Sequence, residues 1–290
     1  MKTKKHFFTL GAFLLLLGLC VLSSTHTQAA VKKLKVMGTY SNKKSCKLDL
    51  DGDGKKEKLT LKWKGDSVAK AKLYVNGQKA LTLKDPIWVN DIGIDYIKMS
   101  KSNIFIRCYT EGDSYIMGSD YFYRYDKKSK KMRKEVKLLD VNENGKSTEI
   151  KSVTASKIKV TYCHNLDVVG HVLWTAVYVV KDGKLKRQQT ASKAQCAYIT
   201  KYVDSDGYGK LLEKNQYKTK YDLIFYTDGS MRTVAYYVKA NEIVILKQVK
   251  YVKGKWYVRF DKDGKQGWTN LKGYGSREIF YGTHIRMNVG

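Results

Sequence analysis

The sequence predicts an all-β chain, and three observations carry that expectation. Apolar positions alternate with polar ones along most of its length, which is the two-residue period of a strand with one face buried. Asn-Gly or Asp-Gly pairs, the dipeptides of tight hairpin turns, interrupt the alternation at Asn76-Gly77, Asp182-Gly183, Asp228-Gly229 and Asp263-Gly264. The runs between the turns are rich in Val, Ile, Tyr and Thr, residues that suit a pleated, half-buried surface.

Taken in chain order, the first such unit is a hairpin with Lys72–Val75 and Ala80–Leu83 on either side of Asn76-Gly77. Ile104-Phe105-Ile106 and Val172–Val180 follow as strands, then Ile243–Leu246. Tyrosine is used heavily, 22 times against 8 phenylalanines, as befits sheets with one wet face. These tyrosines serve either as ordinary cross-strand packing or as stacking surfaces for sugars. A polar stretch, Thr190–Lys220, lacks sustained alternation, and a domain boundary is expected within it. The expected divisions are a signal peptide at 1–29, a β-rich domain at 30–205, a small barrel-like domain at 215–275 and a tail at 276–290.

The opening residues predict export. Lys2, Lys4 and Lys5 precede an apolar run from Phe7 to Leu22 and a small, polar stretch from Ser23 to Ala30, the three-part layout of a secretory signal. Cleavage is expected after Ala29, with Thr27 and Ala29 at the two positions that want small residues; the competing reading is an uncleaved anchor. Leu19 before Cys20 argues against a lipid-modified cysteine, and no twin-arginine, anchoring or wall-sorting pattern is present. The formal net charge is +28, and removing three lysines with residues 1–29 leaves +25. So positive a chain is held near polyanions by a long-range, salt-sensitive attraction. Export directs that inference away from nucleic acid and toward anionic envelope polymers such as teichoic acids, or toward anionic lipid head groups. The alternative is that the lysines only solubilise exposed strand faces. Cys46, Cys108, Cys163 and Cys196 allow either two disulfides or buried thiols.

The densest acidic segment is Asp49-Leu50-Asp51-Gly52-Asp53-Gly54-Lys55-Lys56-Glu57. Oxygen ligands at alternate positions, with glycines between them for sharp turns, are how a hard divalent cation such as calcium is wrapped. Asp49, Asp51, Asp53 and Glu57 would supply carboxylates and Lys55 a carbonyl. An EF-hand is excluded, because its twelfth position holds Thr60 and Leu59, Leu61 and Trp63 alternate as a strand. The loop resembles the calcium loop of FG-GAP and VCBS-type repeats, which implies a calcium site between β-strands and a partial-propeller or sandwich-like domain. Asp140–Thr148 and Asp204–Asp206 read as degraded copies.

Nearer the C-terminus, Lys253–Phe260, an Asp263-Gly264 turn and Lys265-Gln266-Gly267-Trp268 resemble the hairpin of bacterial SH3 (SH3b) domains. That resemblance implies a small SH3-like barrel that binds cell-wall peptide, with Trp256, Tyr257 and Trp268 as the ligand-facing aromatics. Equally, Trp256 and Trp268 read as core residues of a barrel that binds nothing. On the strand, Trp256, Val258 and Phe260 share one face and Tyr257 and Arg259 the other.

Catalytic motifs are sparse. Cys163-His164 is the nearest approach to a nucleophile with its base, but adjacent strand residues point to opposite faces. No serine elbow, zinc-binding helix motif or phosphate loop appears. The chain therefore reads as a secreted, non-enzymatic, cell-surface binding protein. A cell-wall-acting hydrolase and a non-specific extracellular matrix component are the alternatives.

Overall fold

The computed structural model describes residues 30–37, 43–63, 70–84, 89–112, 117–138, 145–166, 169–188, 190–196, 201–203, 209–252, 255–270 and 279–281. The expected signal segment 1–29, most of Asp140–Thr148 and the aspartates of 204–206 lie outside the described residues. Among the described residues the fold is all-β and antiparallel, with no helix. Among those residues no helix is long and apolar enough to cross a membrane.

In chain order the strands are β1 (Ala30–Met37), β2 (Lys43–Leu48), β3 (Glu57–Trp63), β4 (Lys70–Val75) and β5 (Gln78–Lys84). Next come β6 (Val89–Lys98), β7 (Ile104–Gly112), β8 (Met117–Asp126) and β9 (Lys131–Lys137). They are followed by β10 (Gly145–Val153), β11 (Lys157–Leu166), β12 (Gly170–Lys181), β13 (Lys184–Arg187) and β14 (Ser192–Cys196). Three short strands succeed these: β15 (Lys201–Val203), β16 (Gly209–Leu211) and β17 (Gln216–Lys218). The last are β18 (Leu223–Tyr226), β19 (Val234–Val238), β20 (Ile243–Val252), β21 (Lys255–Lys262) and β22 (Lys265–Asn270).

Three of the four glycine pairs make the expected two-residue turns. Asn76 and Gly77, Asp182 and Gly183, and Asp263 and Gly264 all take positive φ, between 48° and 84°, the backbone twist that matches two right-twisted strands. Asp228-Gly229 does not. There the Asp228 carboxylate accepts from the Ser230 N–H at 2.7 Å and Thr227 N–H bonds Thr233 O at 2.9 Å, so residues 227–233 form a longer loop.

Strands β2–β5 form one four-stranded sheet, and β1 with β6–β9 forms a five-stranded one in the order β1-β6-β7-β8-β9. An eleven-stranded sheet follows the path β10-β11-β12-β14-β20-β21-β22-β18-β19, with β13 on β12 and β17 on β20. Within the polar stretch 190–220, β14 and β17 both pair with β20 of this sheet, while β15 and β16 form a separate two-stranded sheet. None of these sheets closes into a barrel.

The five-stranded sheet is the middle layer, and its two-residue alternation divides it between two cores. Ile92, Ile94, Tyr96, Ile104, Ile106 and Cys108 pack with Leu48, Leu59, Leu61 and Leu73 of the four-stranded sheet. The opposite parity, Ile97, Phe105 and Phe122, packs with Val160, Tyr162, Trp174 and Tyr178 of the large sheet. Arg107 lies on that second face, 2% exposed. Its guanidinium donates to both oxygens of Asp120, at 2.9 and 2.7 Å, and to Asp95 at 3.2 Å. Burial opposes the Arg107 charge, and the two carboxylates offset that cost and hold its pKa above the ordinary arginine value.

Candidate functional site

The acidic loop connects β2 to β3 at one end of the four-stranded sheet. Its shape follows from the side chains themselves. Asp49 Oδ1 accepts from the Gly52 N–H at 2.7 Å, Asp51 Oδ1 from the Asp53 N–H at 3.2 Å, and Asp53 Oδ1 from the Lys55 N–H at 2.8 Å. Each aspartate thus closes its own turn. Gly52, at φ 82°, faces the Lys101 carbonyl so closely that a Cβ there would sit 1.8 Å from the oxygen; no other residue fits.

Two anchors fix the loop to the protein. Leu50 is buried, and its N–H donates to Glu57 Oε2 at 2.8 Å. The Tyr96 hydroxyl, from the middle sheet, donates to the Asp49 carbonyl at 2.9 Å. Burial, and then the charges of Asp49 and Glu57, push the Tyr96 phenol up to about 12.

Asp49, Asp51 and Glu57 consequently offer one carboxylate oxygen each, all within 4.8 Å of one another. This cluster could hold a metal ion. Oxygens bound to one calcium ion at 2.3–2.6 Å stand at most about 5 Å apart, so the spacing fits a hard cation without moving the backbone. Asp53 stands outside the triad, and Lys55 is exposed. Two ammonium groups, neither evident from the loop's own sequence, serve the acids instead. Lys98 Nζ lies 3.2 Å from Asp49 Oδ2, and Lys127 Nζ lies 2.9 Å from Asp51 Oδ2 and 2.7 Å from Asp53 Oδ2. The hydrogen bond from Lys127 holds the Asp53 carboxyl below its ordinary value, and its two aspartate partners hold the Lys127 ammonium above its own.

The aromatic hairpin β21–β22 places its three candidate residues on two faces. Trp256 turns inward, its ring 5.2 Å from His164, 5.3 Å from Trp174 and 4.7 Å from Tyr251. Val258 and Phe260 continue that face into the core. Tyr257 and Arg259 take the other face, where Trp268 lies across from Arg259 with the guanidinium 5.7 Å from its ring. Tyr257 and Trp268 are half-buried. Gly267, just before the indole, presses on Phe225 and Tyr236; a Cβ there would come within 2.6 Å of Phe225 Cβ.

Cys163 and His164 are both buried. His164 Nδ1 accepts from Trp174 Nε1 at 3.0 Å, and its ring packs among Tyr162, Trp174 and Trp256. Burial, with a smaller effect from Arg187, lowers its pKa to about 4, so the ring is neutral and structural near pH 7. Cys46, Cys108 and Cys163 form no disulfide with one another. Burial pushes the Cys108 thiol far above its ordinary value, which makes it inert.

No family model, no curated protein and no solved structure matches this chain.

Proposed function

We propose that the chain is a secreted, non-enzymatic binding protein of the bacterial cell surface, stabilised by one calcium ion and retained on anionic envelope polymers. The observation that carries this reading is the carboxylate triad of Asp49, Asp51 and Glu57, set in a chain whose formal charge is otherwise strongly positive. Hard oxygen donors preformed on buried anchors suit calcium, which is abundant outside cells. Asp49, Asp51 and Glu57 would hold the ion, with Asp53 and the Lys55 carbonyl as further oxygen donors of the same loop. Lys127 would have to leave Asp51, since two cations do not share one small acidic site.

The FG-GAP/VCBS-like and SH3b-like resemblances support the same reading. So does the outer face of the β21–β22 hairpin, where Tyr257, Arg259 and Trp268 stand together beyond the core. An aromatic pair beside a guanidinium suits a peptide or sugar ligand. Trp256 is then a packing residue between β21 and strands β11 and β12 of the same sheet, and recognition falls to Tyr257 and Trp268.

Co-sedimentation with intact and teichoic-acid-stripped walls across a salt gradient tests the proposal. The chain is expected to pellet with intact walls and to be released only in part by salt, because specific contacts persist where charge attraction is screened within about 10 Å at 0.1 M. Trp268→Ala, which leaves the core untouched, is expected to weaken the salt-resistant fraction. Complete release at high salt, or solubilisation of wall fragments, would overturn the reading in favour of a matrix component or a hydrolase respectively.

A further inference from the structure

The large sheet carries a groove lined by residues of β10, β11, β12, β14 and β20. Strand β14 pairs with β12 through residues 194–196 and with β20 through Ser192 and Lys193, so its two neighbours splay apart along it. The opening between them has a volume of about 560 Å³, a size suited to a small ligand or one repeat of a polymer.

Three lysines stand around it, Lys151 from β10, Lys193 from β14 and Lys247 from β20. None forms an ion pair among the described residues, whereas Lys98, Lys127, Lys186, Lys239 and Lys262 all do. Among the described residues no Asp or Glu lines the groove; Glu149, opposite Thr161 in the β10–β11 register, is the neighbouring acid. Between the lysines lie hydroxyl and amide groups from Thr161, Thr175, Gln195 and Asn215. Ammonium groups act as point charges that suit phosphate, while the planar carboxylate fork favours arginine, which is absent from the described lining. Among the described lining residues the one aromatic, Trp174, is 4% exposed and stacked on Tyr162 at 5.1 Å, so among them no ring is offered to a nucleic-acid base.

We infer that this groove binds a phosphodiester-linked polyol chain, with Lys151, Lys193 and Lys247 on its phosphates and the threonine and amide side chains on its hydroxyls. This rests on the proposed retention on anionic envelope polymers and names the polymer class and the surface that would hold it. A defined poly(glycerol phosphate) oligomer, titrated calorimetrically at about 0.15 M salt, is the probe. The triple variant K151Q/K193Q/K247Q is compared with K72Q/K157Q/K184Q, which removes the same charge from exposed positions outside the groove lining.

The groove variant is expected to lose about tenfold in affinity and the control variant less than about twofold. Single-stranded DNA of matched charge is expected to bind more weakly than the oligomer and to respond equally to both variants. Equal losses of the oligomer in the two variants would overturn the groove while leaving wall retention standing on diffuse charge. Tighter binding of DNA through the same three lysines would overturn the polyol assignment. If the unaltered protein binds the oligomer not at all yet sediments with walls, the groove fails alone; if it does neither, the retention reading fails with it.

Discussion

At the scale of single residues, the buried polar groups give the most direct handle on the fold. His164 is 3% exposed and neutral, with its Nδ1 engaged by Trp174. Its folded pKa, about 4, is below the ordinary 6.5. The unfolded chain therefore binds the proton first as pH falls, and stability that is complete above pH 6.5 drains away toward pH 4. The difference amounts to about 3 kcal/mol by the lower limit. Denaturant titrations at pH 7, 6, 5 and 4 should show that decline in the unaltered protein. His164→Phe should be less stable at pH 7 by about 1–3 kcal/mol, since the indole N–H loses its acceptor, but should decline less steeply through the window. Parallel profiles would show that His164 does not titrate as described. The acidic loop was legible at this scale because its ligands are close in sequence and alternate with glycine. Its companions Tyr96, Lys98 and Lys127 were not, because they lie 47, 49 and 74 residues from Asp49, Asp49 and Asp53 and carry no local signature.

At the scale of elements, the turn after β8 acts on the loop after β2. Lys127 bridges Asp51 and Asp53 across the boundary between two sheets, and it occupies the side of the acidic cluster that a divalent ion would neutralise. Lys127→Ala should therefore widen the calcium-induced gain in melting temperature relative to the unaltered protein, because the ion no longer displaces an ammonium. The same variant should melt slightly lower in chelator, where the carboxylates repel without a partner. Differential scanning calorimetry in calcium and in chelator reads both effects, and an unchanged gain would show that Lys127 does not compete for the site. Three hairpins were legible from their dipeptides, since Asn-Gly and Asp-Gly readily take positive φ. Residues 227–233 were not, because the Asp228 side chain bonds within its own loop and removes the need for a two-residue turn.

At the scale of the whole molecule, the middle sheet is sandwiched by two others, and the acidic loop sits where the four-stranded sheet meets it. Period-two alternation showed that strands β6 and β7 have two faces, but Ile94 and Phe105 do not state which sheet covers them, so the layering was not readable in advance. The same holds for the groove, which depends on β14 dividing its pairing between β12 and β20. Because the loop is anchored through Leu50 and Tyr96 to the first core, an ion bound there would stabilise the two sheets that share it. That makes calcium-dependent unfolding the most direct test of the account. At a calcium concentration about a hundred times the dissociation constant, binding to the folded state alone contributes about 2.7 kcal/mol, which for a chain of this size is a rise of roughly 5–10 °C. Thermal melts in chelator and in millimolar calcium should show that rise in the unaltered protein and its loss in Asp51→Asn, while magnesium should give a smaller one. An identical melting temperature with and without calcium in the unaltered protein would contradict the account.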